Sequence, residues 1–426
     1  MKKGLLLLAL TTLTLVSCGG GNSTEQEKDA SGNTIVKIMF HVNKTTAEGK
    51  AYQKRIEAFN NAYKEEKIKA VPRFEARTSD NKFEQTLINM KVEGTLPDII
   101  TFDAPNCASY AYAEILSDIS GQISQDERND FLSLNTYNGK VYGLPIQESS
   151  AGFYYNKNLF ARAGVDVSGY TVDNPWTFDQ FKAVCQQLKN SNITPVDMRI
   201  TATGDETATY LLYSFIHAAG GDFVSSDGFT ATGHFNSDAT KSGFSYLASL
   251  ISSGYTSYAI GPTDFFNGTV GMYLSSGWTI DEFRDYTTNF PDRNSWGLLP
   301  YPQGTAKASA TGSWSYGVTD NGVADKSATY KLLKWMSSAE STTVVTNATG
   351  MIPSRKSCNP TYEVGSAEWV LLEQLSKTGK ERPATVCYPK FSQCFGRIID
   401  SLSKSNLSEI IDGQTNELQK LLNERK

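Results

Sequence analysis

Residues 138–164 read NGKVYGLPIQESSAGFYYNKNLFARAG, and the organisation of the chain turns on this stretch. Pro145 closes one set of elements, and a second set opens behind it with Gly152 to Tyr155 as a strand. Upstream the chain alternates. Ile35 to Phe40 is a short apolar run of strand type. Tyr52, Ile56, Phe59 and Tyr63 recur at spacings of four, three and four, which predicts an amphipathic helix. Ile68 to Phe74 reads as a strand, and Phe83, Leu87 and Met90 mark a second helix begun by Ser79-Asp80 as caps. Pro97 to Phe102 is a third strand. This alternation predicts an α/β lobe around a largely parallel sheet.

Downstream, Thr177 and Gln180 form a capping box ahead of Phe178, Phe181, Val184, Cys185 and Leu188. Helices are expected over 205–219 and 237–253, the second starting at Ser237 with Phe244, Leu247 and Ile251 on one face. Strands follow at Val270–Leu274, Trp296–Leu299 and Trp314–Thr319. A helix lies around Tyr330–Met336, and two more, near 392–402 and 407–424, close the chain. A length of 426 residues exceeds what one compact core accommodates, so two α/β lobes are expected. With 39% hydrophobic and 20% charged residues, the composition is that of a globular protein. A formal charge of −5 and the lack of a basic cluster exclude a nucleic-acid surface. The 21 Tyr, 21 Phe and 6 Trp fill cores and leave several rings for a binding cleft.

The amino terminus carries a different message. Lys2 and Lys3 lead into the apolar run Leu5 to Val16, too short for a bilayer span of roughly 20 residues. It reads as a secretory signal, residues 1–17. Leu15-Val16-Ser17-Cys18 resembles the lipobox of bacterial lipoproteins, in which the cysteine is diacylated and becomes the first mature residue. Two acyl chains anchor stably where one does not, so an exported protein tethered to the cell membrane through Cys18 is expected. Residues 18–33 then form the lipidated cysteine and a flexible linker, nearly devoid of apolar side chains. Such a linker spans about 20 Å or more. The other five cysteines (Cys107, Cys185, Cys358, Cys387, Cys394) show no metal-ligand spacing. A disulfide among the last three and buried free thiols both remain open.

Four segments in consistent order carry a family resemblance. They are PDIITFDAPNCASYA (97–111); the opening stretch with PWTFDQFKAVCQQL (175–188) behind it; FFNGTVGMYLSSGW (265–278); and WGLLPYPQG (296–304) with TGSWSYGVTDN (311–321), ATYKLLKWM and MIPSRKS. Together they resemble the extracellular solute-binding proteins of sugar-type ABC importers, the group that includes maltose-binding protein. The resemblance implies a two-lobed periplasmic-binding-protein fold, α/β throughout, with ligand held in a cleft between discontinuous lobes. Lobe 1 would take residues 34–147 and 300–348, and lobe 2 residues 148–299 and 349–426. Crossings are expected near Pro145–Ser149, near Leu298–Pro302 and before Met351. It further implies a carbohydrate ligand, ABC permease subunits as partners, a monomer, and no metal or cofactor.

Sugar hydroxyls both donate and accept, which suits carboxylates and amides, while pyranose C–H faces pack on aromatic rings. Carried over residue by residue, the resemblance places Asn43-Lys44 where the family has an Asp-Lys pair. Phe102 stands where a ligand-facing Trp stands, with Asp103 beside it as a hydroxyl acceptor. Ser149 aligns with a sugar-binding Glu, and Glu148 precedes it, although the strand period of two turns neighbours to opposite faces. Tyr210 and Trp278 match stacking aromatics, Phe391 falls near a third platform, Trp314 lies in the GSW motif, and Tyr388 sits in a loop near the cleft. His41 is a further candidate, and Arg382 and Arg355 suit ligand or structure equally. Pro105-Asn106 replaces a charged Asp-Arg pair, a departure from a maltodextrin site.

Two other readings stay open. A secreted glycan hydrolase needs two carboxylates across a scissile bond, available among 45 acids. A surface glycan-capture or adhesion lipoprotein would keep the fold without transport. Three histidines and the absence of H-E-x-x-H, G-x-S-x-G or a P-loop argue against other enzyme classes.

Overall fold

The structure is a computed structural model that describes residues 25–77, 82–201 and 206–426. Its strands, in chain order, are β1 (Thr34–Phe40), β2 (Ile68–Phe74), β3 (Ile99–Asp103), β4 (Asn135–Tyr137), β5 (Lys140–Asn156), β6 (Thr194–Asp197), β7 (Val270–Ser276), β8 (Trp296–Leu299), β9 (Ser309–Val318), β10 (Ile352–Pro353) and β11 (Gly379–Lys380). The main path runs β2-β1-β3-β9-β5-β7-β6. β1 pairs parallel with β2 and β3, as the alternating amino-terminal pattern requires. Between β1 and β2 the helix Ala47–Ala62 starts at Thr46, whose side chain accepts from the Gly49 N–H, and buries Tyr52, Ile56 and Phe59. The Ser79-Asp80 caps and Cys18 lie outside the described residues.

β5 is longer than the four-residue strand read at Gly152–Tyr155. Its 17 residues include Pro145, which sits at a register shift against β9 where a missing N–H is tolerated. The strand joins two apolar cores. Val141, Leu144 and Ile146 pack with Val36, Phe40, Tyr52 and Tyr316. Ala151 and Phe153 pack with Trp176, Phe181, Leu212 and Phe215. Phe153 meets Phe181 at 4.9 Å and Trp176 edge-on at 5.8 Å between ring centroids, contacts each worth about 1 kcal/mol beyond area burial. β9 runs back the other way, from Ala310 in the second core to Tyr316 and Val318 in the first. A third passage falls between Val345 in the first core and Ile352, which packs with Tyr154 and Val370.

The second passage is therefore in Thr311–Ser315 and not near Leu298–Pro302. β8 stays beside the second core because it pairs with Phe153–Asn156 of β5, and the Tyr301 hydroxyl donates to the Leu211 carbonyl at 2.8 Å. Other elements arrive close to expectation: the Thr177–Gln180 capping box is formed, helix Asp238–Ser252 is capped by Ser237, and Leu407–Asn423 closes the chain. Helix Tyr388–Ile399 starts before position 392 because Pro389 suits its first turn. The helices Ala339–Thr349 and Ala367–Lys377 were not expected. Residues 25–33, read as linker, fold back on β1. Ile35 N–H donates to Glu27 O at 2.8 Å, and Asp29 Oδ1 accepts from the Ser31 and Asn33 amides. The five described cysteines are unpaired thiols. Among the described residues no helix is long and apolar enough to cross a membrane.

Candidate functional site

A cavity of about 420 Å³ opens between the two cores. β5 forms its floor, where the period of two turns Gln147 and Ser149 into the cavity. From the first core's side come His41, Glu48, Arg77, Asp103 and Trp314; from the second come Glu206, Tyr210, Trp278 and Arg382. Thr349 and Met351 enter from the third passage.

Each wall carries a tryptophan. Trp314, on β9, stacks on the His41 ring with centroids 3.3 Å apart, and the Arg77 guanidinium lies 5.6 Å from its ring. Trp278, in the turn after β7, tilts against Tyr210 at 5.9 Å. Ser149 Oγ donates to the Gly312 carbonyl at 2.6 Å, which leaves it to accept from the Tyr210 hydroxyl at 2.8 Å. Burial and the Arg77 charge hold the His41 imidazole well below its ordinary range, so it is neutral at pH 7. Its Nδ1 lies 3.0 Å from Thr101 Oγ1. Burial pushes the Glu48 carboxyl up to about 7, against the opposing hydrogen bond from Tyr52.

A charged network crosses the cavity from one side to the other. The Arg382 guanidinium grips Asp103 with both prongs, Nη2 to Oδ1 at 2.7 Å and Nη1 to Oδ2 at 3.0 Å, and reaches Glu206 Oε1 at 2.9 Å. Arg77 approaches Asp103 at 3.8 Å and donates to Glu84 at 2.8 Å. Glu206 also accepts from the Ser392 and Tyr388 hydroxyls. Gly312 makes room for this crossing: a Cβ there would come within 3.0 Å of Arg382 Nη2 and 2.9 Å of the Tyr210 ring. Buried arginine–carboxylate pairs of this two-pronged geometry fix orientation as well as charge.

Of the residues expected from the sequence, His41, Asp103, Ser149, Tyr210, Trp278 and Trp314 meet in this cavity. Others do not reach it. Phe102 points to the opposite face of β3 from Asp103, and its ring fills the space left by Gly143 and Gly317. Phe391 is wholly buried in the second core, with Phe223 at 5.1 Å and Phe235 at 5.3 Å. Asn43 and Lys44 are exposed in the turn before Thr46 and do not line the cavity. Glu148 faces away from Gln147 and Ser149 into a smaller cavity of about 160 Å³, where it accepts from the Ser133 hydroxyl at 2.5 Å. Tyr388 is buried; its hydroxyl touches Glu206, and its ring borders a separate cavity beyond. Tyr154 is core, as its sheet position suggested. Glu48, Arg77, Gln147, Glu206 and Thr349 were missed. Only Gln147 had a local signal, since it shares the Ser149 face of β5. Among the described residues no cluster of His, Cys, Asp and Glu is placed to hold a metal ion.

A family model described as bacterial extracellular solute-binding protein matches residues 54–371. Proteins of Brucella abortus and Brucella suis align at 26% identity over 250 residues, 56% of this chain and 57% of theirs. The multiple sugar-binding protein of Streptococcus mutans aligns at 23% over 199 residues, 46% of this chain and 42% of its own. The chain thus spans about half the length of these curated relatives. Among solved structures, the cyclic α-maltosyl-1,6-maltose binding protein of Arthrobacter globiformis superposes with a TM-score of 0.75 at 22% identity, covering 92% of this chain and 100% of that one. UgpB of Mycobacterium tuberculosis, in complex with glycerophosphocholine, gives 0.72 at 17%, covering 92% and 99%. At such identities these likenesses establish the fold: two lobes with helices and strands interspersed about one mixed sheet.

Proposed function

The chain belongs to the bacterial extracellular solute-binding proteins, and from that premise we propose that it captures a carbohydrate between its lobes and delivers it to an ABC permease. The observation that carries this reading is the pairing of Trp278 and Trp314, from opposite walls, in a cavity otherwise lined by carboxylate, guanidinium, amide and hydroxyl groups. Flat rings suit the C–H faces of a pyranose, and planar polar groups suit its hydroxyls. The cavity volume of about 420 Å³ falls within the range of small-molecule sites.

In this mechanism ligand stacks first on one tryptophan in an open cleft. Hinge closure about β5, β9 and the passage before Ile352 then brings up the second wall. Ligand favours the closed form only through its differential affinity for it. Exported through its signal and held by acyl groups on Cys18, the monomer presents its closed form to the permease.

A thermal-shift screen of the exported chain against mono- and oligosaccharides tests the reading, with polyamines, peptides and glycerophosphodiesters alongside. Ligand at about 100 times its dissociation constant adds roughly 2.7 kcal/mol of stability. A selective shift with intact sugar recovered is the expected result. Recovery of cleaved sugar would move the protein to the hydrolases, and a shift with non-sugars alone would overturn the carbohydrate assignment.

A further inference from the structure

Two cavities of similar size, about 420 and about 410 Å³, lie in series between the lobes. Arg77 and Glu206 line both of them, and Asp103 and Arg382 are tied to these two, at 3.8 Å from Arg77 and 2.9 Å from Glu206, as part of the same partition. Asp103 and Arg382 face the first cavity, and Tyr388 faces the second. We propose that the Asp103–Arg382 pair is an end-stop that sets the longest glycan the cleft admits; this rests on the carbohydrate reading above.

Three observations carry it. The pair closes the cleft from both sides at once, with Asp103 from the first lobe and Arg382 from the second held at 2.7 and 3.0 Å. Both residues are more than nine-tenths buried, at 5% and 6% exposure, and a sugar ring cannot pass between two groups in hydrogen-bond contact. The far side of the wall is suited to further sugar units. Gln85, Asn106, Ser109 and Gln393 supply amides and a hydroxyl there, and Tyr110 supplies an aromatic ring. Within the wall, Arg382 Nε is buried and has no acceptor among the described residues. A short glycan therefore fills the tryptophan compartment and stops at the guanidinium; a longer homologue collides with it.

The test removes both halves of the stop together, because a single truncation leaves the opposite charge buried with one partner fewer. In Asp103→Ser with Arg382→Ala, Glu206 keeps Tyr388 and Ser392, and Arg77 keeps Glu84. Calorimetric titration of the wild-type chain and the double variant would use graded series of linear gluco-, manno- and xylo-oligosaccharides, from monosaccharide to hexasaccharide. The wild type is expected to bind short members and lose affinity sharply at one length. The variant is expected to bind that first excluded length roughly tenfold tighter, about 1.4 kcal/mol. Where the double variant does not fold, as judged by circular dichroism, Asp103→Asn keeps the shape, weakens the pair and should relax the limit in the same direction. An unchanged limit in a folded variant, or a wild type that binds every length alike, overturns the end-stop alone. Silence of both proteins across all series overturns the carbohydrate reading and the end-stop with it.

Discussion

Asp103 at the end of β3 and Glu148 in the middle of β5 are both buried carboxyls, 5% and 4% exposed, with opposite surroundings. Asp103 faces the Arg382 and Arg77 guanidiniums. Glu148 faces the Ser133 hydroxyl, and the charged group acting on it is another acid, Glu381. Burial pushes the Glu148 carboxyl up to about 8, so at neutral pH it is mostly a protonated acid that can itself donate. Burial alone thus does not fix what a carboxyl can do; its neighbours do, two guanidiniums for Asp103 and a hydroxyl with another acid for Glu148. The pairing across the cleft yields a charged wall, and the solitary acid on the other face of β5 yields a neutral one.

The sharpest way to break this contrast is to remove the partner of one acid. Arg382→Ala should cost about 3–5 kcal/mol, because Asp103 and Glu206 are left buried beside a void; urea denaturation would measure it. A loss near zero would mean the pair is no more than a surface contact.

The other acid should respond to pH instead. Its folded pKa, about 8, lies above the ordinary carboxyl value of 4.5, so the folded chain holds the proton longer than the unfolded chain does. Stability is then fully present below about 4.5 and is lost as pH rises towards 8, at about 1.4 kcal/mol per pH unit at most for one group. Glu48, pushed up to about 7, and Asp197, pushed up to about 6, add slopes of the same sign. Glu148→Gln should flatten the Glu148 part of this decline, leaving the rest. An unaltered profile of melting temperature against pH would count against a protonated Glu148.

Smaller effects sharpen where the ligand wall lies. Trp314→Ala and Trp278→Ala should each weaken ligand binding roughly fivefold, in line with about 1 kcal/mol per stacking contact. Asn43→Ala and Lys44→Ala, outside the cavity, should change stability by less than about 0.5 kcal/mol and leave affinity untouched. Titration calorimetry on all four would draw the boundary of the site.

Much of the fold was legible because its signals are local. The period of Tyr52, Ile56 and Phe59 marks a helix face, and Thr177 with Gln180 marks a helix start. β5 was read short because Gln147–Ser150 looks polar and Pro145 looks like a terminator; both make sense only once β9 and β10 flank the strand. In the site, Trp278 and Trp314 were found through motifs, whereas Phe102 was assigned to the wrong face of its own strand. Counting in twos from Asp103 would have turned it inward. The Asp103–Arg382 contact joins residues 279 apart, and Glu206–Arg382 joins residues 176 apart. No window on the sequence sees such pairs.

The wall across the cleft also has a property that belongs to a latch. Every charge in it has a second home on its own lobe: Asp103 has Arg77, while Arg382 has Glu206 and the Tyr388 hydroxyl. Parting the lobes therefore breaks two hydrogen bonds without stranding either ion, which is what separates a bolt that can be drawn from a weld. Such a contact resists opening by its own small margin and reseats without a search, since each half keeps a partner on its own lobe while they are apart.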